Sequence, residues 1–179
     1  MNIPNKLTLF RIILVPFFVF FMLSDLLGDY SKWIALVIFC LASFTDYLDG
    51  NIARKYNLVT NFGKFMDPLA DKMLVCSAFI CFVETGKLSA WYVIIIIARE
   101  FIISGFRLVA SDKGVVIAAS IYGKVKTVFQ MITIILLLID LDNNLYILLT
   151  NIFVYASLIM TIVSLVDYIR KNKNVLKEE

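Results

Sequence analysis

Six apolar runs, each close to the length that crosses a bilayer, most constrain what this chain can fold into. A hydrocarbon layer of roughly 30 Å takes about 20 apolar residues in a helix. Such runs recur near 7–27, 33–53, 65–83, 90–110, 121–139 and 145–169. The connections are short and carry turn-prone residues, Ser24, Gly28, Asn57, Asn61, Gly86, Asn143 and Asn144 among them. They leave no room for a soluble domain. Hydrophobic residues make up 61% of the 179 positions and charged residues only 17%, a balance outside the soluble range. The reading is an all-α integral membrane protein, a six-transmembrane-helix bundle with one membrane-embedded domain over 1–179.

Lysine and arginine alternate from loop to loop. The N-terminal segment carries Lys6 and Arg11, the second connection Arg54, Lys55 and Lys64. The fourth has Lys113, Lys124 and Lys126, and the tail Arg170, Lys171, Lys173 and Lys177, while the remaining connections hold only Lys32 and Lys87. That bias predicts cytoplasmic termini in a multi-pass membrane protein. The first run is read as a span, not a cleaved signal peptide: it is long, and no small-x-small cleavage site follows it. Cys40, Cys76 and Cys81 all fall in apolar runs without metal-ligand spacing and read as packing residues. The chain shows no internal repeat, and no nucleic-acid partner is expected.

Four carboxylates interrupt this apolar pattern between positions 46 and 71. Asp46 and Asp49 stand at i, i+3, and Asp67 and Asp71 at i, i+4, so each pair shares one face of its own helix. A carboxylate in a membrane helix is expensive and marks a functional site by default. Four such groups converging in low dielectric repel one another unless cations hold them. Oxygen-only ligands favour hard divalent ions, Mg²⁺ or Mn²⁺. The predicted active site opens to the cytoplasm beside the second connection.

With Asp46 at the origin and about 100° per residue, Asp49, Gly50, Ala53 and Arg54 fall at roughly 300°, 40°, 340° and 80°. Two acids, two residues with almost no side chain and one cation share a stripe. Small residues let a bulky ligand approach the backbone, and a diphosphate suits a metal held by carboxylates. Tight helix packing is the plainer account of Gly50 and Ala53. Gly63 and Pro68 punctuate the entry to the third run. There Pro68 either sits in a first turn or, if the helix begins nearer Gly63, bends it.

The spacing Asp-x2-Asp-Gly-x2-Ala-Arg-x8-Gly-x3-Asp-x3-Asp resembles the signature of the CDP-alcohol phosphatidyltransferases, with every fixed position present. The opening Pro4-Asn5-Lys-Leu7-Thr8-Leu-Phe-Arg11 is similar to that family's N-terminal segment. The resemblance covers the whole chain and implies a six-helix membrane core, a homodimer and direct phosphoryl transfer on a CDP-linked lipid. It implies two divalent ions: Asp46, Asp49 and Asp67 around one, with Asp71 completing the second and acting as general base. It places the cytidine against Gly50, Ala53 and Arg54, and puts Gly63, Asn5 and Thr8 among the residues that bind the CDP-lipid. Asn5, Thr8 and Arg11, three residues apart, fit equally an interfacial anchor with a helix cap. Histidine is absent. That excludes a phospho-histidine intermediate and a Ser-His-Asp triad.

Beyond the signature stand Arg99, Glu100 and Arg107 in the fourth run and Lys124 and Lys126 in the fifth. Arg99, Arg107, Lys124 and Lys126 could grip a phosphate on the acceptor, or the cations could be paired with Glu100 or the aspartates. The segments around Arg99–Arg107, Tyr122–Thr127 and Met66–Lys72 resemble those of bacterial phosphatidylglycerophosphate synthases. That resemblance implies CDP-diacylglycerol as donor, glycerol-3-phosphate as acceptor and the bacterial cell membrane as location. Serine, inositol phosphate or phosphatidylglycerol are the rival acceptors within the family, serine being disfavoured because it brings no phosphate. A divalent-cation transporter would not need Gly50, Ala53 and Arg54 beside the acids. An intramembrane prenyltransferase would keep its two acidic motifs farther apart. The basic tail after position 169 could touch anionic membrane lipid.

Overall fold

On the last helix and the N-terminal half of the first, the buried residues are polar and large apolar ones are exposed, the reverse of a water-soluble protein. In the computed structural model, residues 2–24, 26–28, 30–55, 60–112, 114, 117 and 120–173 are described. The side chains at 3, 47, 49, 51–55, 61, 62, 64 and 65 lie outside that set. Six helices and no strands occur among the described residues: α1 Ile3–Leu23, α2 Tyr30–Lys55, α3 Asn61–Glu84, α4 Ala90–Asp112, α5 Ile121–Ile139 and α6 Asn144–Asn172. Asn5, Thr8 and Arg11 are buried on α1, while Leu9, Phe10, Ile13, Phe17, Phe20 and Leu23 are exposed. Lipid tails solvate such an apolar face, and the interior is where polar side chains find partners.

Among the described residues, three helices, over Pro4–Leu23, Ile121–Ile139 and Asn144–Asn172, are long and apolar enough to cross a membrane. The chain is a membrane protein. α2, α3 and α4 have 26, 24 and 23 residues, so length does not separate them from the other three. They carry the aspartates and the Arg99–Glu100–Arg107 charges, which lower their apolar content.

Helix ends follow local chemistry. α1 starts earlier than its apolar run because Asn2 caps it, accepting from the Asn5 N–H at 3.1 Å, with Pro4 in the first turn. It stops at Leu23, short of the predicted residue 27, where Ser24 turns extended and Gly28 takes a left-handed φ of 53°. Thr60 caps α3 by accepting from the Gly63 N–H at 3.0 Å, so that helix begins at Asn61 and Pro68 lies in its interior. Of the two readings of Pro68, the interior one holds. Pro68 has no N–H to offer the carbonyl four residues back.

The chain divides into two compact units, 1–88 with 137–139, and 89–136 with 140–179. In the first, α1 packs on both α2 and α3. Val15 and Phe18 of α1, Ala35, Phe39 and Ala42 of α2, and Ala70, Leu74, Ala78 and Phe82 of α3 are all buried. Phe18 and Phe39 rings lie 6.0 Å apart. The alanines let the helix backbones close on one another.

In the second unit α6 is the common partner. The Tyr92 hydroxyl of α4 hydrogen-bonds the Ser157 hydroxyl. From α5, Gln130 Nε2 donates to Thr161 Oγ1 at 3.3 Å, and Phe129 packs against Phe153 with centroids 5.6 Å apart.

Candidate active site

The N-terminal half of α1 is a polar stripe pointed at the carboxylates of α2 and α3. Arg11, fully buried, donates from Nη1 to Asp46 Oδ1 at 2.6 Å. One helical turn earlier, the buried Thr8 hydroxyl donates to Asp67 Oδ1 at 2.5 Å. Asn5 Oδ1 accepts from the Thr60 hydroxyl at 2.9 Å. The i, i+3 repeat read from sequence is therefore a row of contacts running from α1 to α2, to α3 and to the cap of α3. The cap of α1 is Asn2, so the polar row is not spent on capping.

Gly63 is buried within this row. A Cβ there would stand 3.2 Å from Asn5 Oδ1, 3.3 Å from Thr60 Oγ1 and 3.4 Å from Asp67 Oδ2. Three oxygens of three residues thus converge on a backbone position that only glycine leaves clear. Asp46, Gly50, Asp67 and Asp71 are partly exposed, as groups that meet a ligand must be. Asp49, Ala53 and Arg54 lie on α2, and their side chains fall outside the described residues.

In the second unit the four candidate acceptor cations separate by burial. Arg99 and Lys126 are buried, 7% and 4% exposed, and both pair with Glu100. Arg99 Nη1 reaches Glu100 Oε1 at 3.0 Å and Nη2 donates to Ser164 Oγ at 2.6 Å. Arg107 and Lys124 are exposed. Arg107 lies over the Tyr168 ring, 6.0 Å from its centroid. Lys126 and Arg99 form one cluster, and Arg107 stands over the side chain one turn beyond Ser164.

A family model described as CDP-alcohol phosphatidyltransferase matches residues 1–163. The chain belongs to this family. It is 44% identical to a Bacillus subtilis (strain 168) protein over 190 residues, covering 98% of this chain and 97% of the relative. It is also 44% identical to proteins of Escherichia coli (strain K12) and Shigella boydii serotype 4 (strain Sb227), over 139 residues and 74% of each chain. All three relatives carry the name CDP-diacylglycerol–glycerol-3-phosphate 3-phosphatidyltransferase.

The donor chemistry of the first unit fits the divalent ions that such a transferase would use. Asp46, Asp67 and Asp71 and the neutral oxygens of Asn5, Thr8 and Thr60 are of the oxygen type that hard cations prefer, but among the described residues no three acidic, histidine or cysteine side chains gather into a group that could hold an ion. Sequence reasoning weighed Glu100 as a partner of these cations but missed Arg11 as the counter-ion of Asp46, Thr60 as cap and donor, and Ser164 as a group holding Arg99. The signal for Thr60 was present as a threonine three residues before Gly63. The signal for Ser164 was a run of hydroxyl residues recurring at helical spacing on α6.

Proposed function

We propose that this chain transfers the phosphatidyl group of CDP-diacylglycerol to glycerol-3-phosphate, releasing CMP and forming phosphatidylglycerophosphate. The observation that carries it is 44% identity across almost the whole length of the Bacillus subtilis enzyme of that name, joined to a complete Asp-x2-Asp-Gly-x2-Ala-Arg-x8-Gly-x3-Asp-x3-Asp signature. Asp46, Asp49 and Asp67 would hold one Mg²⁺ or Mn²⁺ and Asp71 would help hold a second. Bound divalent ions neutralise the diphosphate and stabilise the entering and leaving oxygens together.

Gly50, Ala53 and Arg54 receive the cytidine diphosphate, two of them by leaving space and the third by charge. Asn5, Thr8 and Gly63 shape the oxygen-lined part of the donor site. Asp71 accepts the proton of the acceptor hydroxyl as that oxygen bonds to the lipid-side phosphorus and the bond to the CMP oxygen breaks. Arg99, Arg107, Lys124 and Lys126 bind the acceptor's phosphate and so select a phosphorylated alcohol. The family match across 1–163 supports one membrane-embedded domain. Its finer description is six spans with both termini and the active site on the cytoplasmic side of a bacterial cell membrane, in a homodimer.

The test is purified protein with CDP-diacylglycerol, Mg²⁺ and one acceptor at a time. CMP release with glycerol-3-phosphate and not with serine, inositol phosphate or phosphatidylglycerol is the expected result. Release with one of those three and none with glycerol-3-phosphate would reassign the acceptor. Absence of release with every acceptor, in folded protein, would overturn the transferase reading.

A further inference from the structure

The buried residues of α6 are Thr150, Ser157, Thr161, Ser164 and Tyr168, and each carries a hydroxyl. Two of them join neutral groups: Ser157 meets Tyr92 and Thr161 meets Gln130. Hydroxyl contacts of that kind tie membrane helices together. Ser164 differs because its partner is a cation. It accepts from Arg99 Nη2 at 2.6 Å, while Arg99 Nη1 is held by Glu100 Oε1 at 3.0 Å.

Two of the three guanidinium nitrogens are thereby fixed from different helices, and the third is not. Arg99 Nε has no hydrogen-bond partner, although the residue is 7% exposed. A buried guanidinium donor without an acceptor is unfavourable, and an anionic oxygen is the acceptor that suits it best. Gly123 of α5 lies against the same pair: a Cβ there would stand at ordinary contact distance, 3.5 Å from Arg99 Nη2 and 3.7 Å from Ser164 Oγ. With Lys126 also against Glu100, the cluster keeps a net positive charge.

We propose that Ser164 is a positioning residue for the acceptor. With Glu100 it locks the Arg99 guanidinium in the orientation that offers Nε–H to a phosphate oxygen of glycerol-3-phosphate. This rests on reading Arg99 as a ligand of the acceptor's phosphate. Ser164 touches Arg99, and the acceptor feels it through that contact.

The experiment measures CMP release by the full chain in detergent, varying glycerol-3-phosphate and CDP-diacylglycerol separately. Ser164→Ala should raise KM for glycerol-3-phosphate roughly tenfold, the lower end of a charge-assisted hydrogen bond, with KM for CDP-diacylglycerol unchanged. Ser164→Thr keeps the hydroxyl and should restore most of the affinity. Ser157→Ala removes a hydroxyl from the same face and should leave KM for glycerol-3-phosphate at the wild-type value. If Ser164→Ala behaves like Ser157→Ala while Arg99→Gln raises KM for the acceptor, Ser164 is a helix tie and the proposal fails alone. If Arg99→Gln leaves that KM unchanged, the acceptor reading of Arg99 fails and the proposal falls with it.

Discussion

Thr8→Val tests whether α1 orients the carboxylates of its neighbours. The change removes a hydroxyl at nearly constant shape, at a position that is fully buried and one where a β-branched residue already stands in a helix. The hydroxyl has one proton and two acceptors in reach, Asp67 Oδ1 at 2.5 Å and the Pro4 carbonyl at 3.1 Å. The shorter contact, to a charged oxygen, takes it. A hydrogen bond to a charged group contributes about 1.5–3 kcal/mol, or roughly 10- to 150-fold at 1.4 kcal/mol per decade. Removing a group that orients a metal ligand typically weakens metal binding by about 10- to 100-fold. The two estimates overlap. Half-saturation of CMP release by Mg²⁺ should therefore move up by one to two decades, with most of the maximal rate recovered at high Mg²⁺. Mn²⁺ binding measured without substrate should weaken in parallel. The melting temperature in metal-free detergent should fall by about 3–12 °C, the shift that such a loss gives in a chain of this size. An unchanged Mg²⁺ curve would refute the reasoning, and so would a loss of rate that no amount of Mg²⁺ restores.

Asp49→Asn keeps shape and removes one charge; turnover should vanish at saturating Mg²⁺ while folded yield stays normal, as size-exclusion profile and CMP release together would show. Ala53→Leu should fill the space assigned to the nucleotide and raise KM for CDP-diacylglycerol sharply; wild-type kinetics would mean the position faces another helix or lipid. Lys124→Gln and Arg107→Gln should each raise KM for glycerol-3-phosphate by about 10- to 150-fold with the donor constant unmoved. Arg107→Lys should recover less than Lys124→Arg, because Arg107 also lies over the Tyr168 ring and an ammonium does not reproduce a guanidinium's bidentate fork.

The lengths of the apolar runs foretold six helices, and α5 begins and ends at Ile121 and Ile139 as its run does. The signature placed Asp46, Asp67 and Gly63 among the candidate residues before any geometry was available. What stayed hidden was pairing across helices. Arg11 and Asp46 are 35 positions apart and Thr8 and Asp67 are 59 apart, distances at which periodicity carries no information about partners. In a soluble helix the apolar stripe would point to the core, but here the lipid-facing side is as apolar as the core. Leu9, Ile13 and Phe17 are exposed while Thr8 and Arg11 are buried, so the informative stripe is the polar one. The same inversion explains why α6 was read only as an apolar span: its interior face is spelled in Ser, Thr and Tyr.

The signature aspartates lie on α2 and α3, and Arg99 and Glu100 on α4, where each charge has an energetic cost to be met. A charge inside a membrane helix is tolerated when a partner or a bound ion meets it. Asp46 of α2 is met by Arg11 and Asp67 of α3 by Thr8, both supplied by α1, a helix apolar enough to span on its own. Glu100 of α4 is met by Lys126 from α5, and Arg99 by Ser164 from α6, again helices apolar enough to span. Each charged helix thus borrows its compensation from an apolar one, and the groups that compensate also orient. α1 contributes no residue to the aspartate signature, yet it touches both helices that carry it. Its role therefore goes beyond anchoring the chain: without Arg11 and Thr8, Asp46 and Asp67 would lose the contacts that α1 supplies.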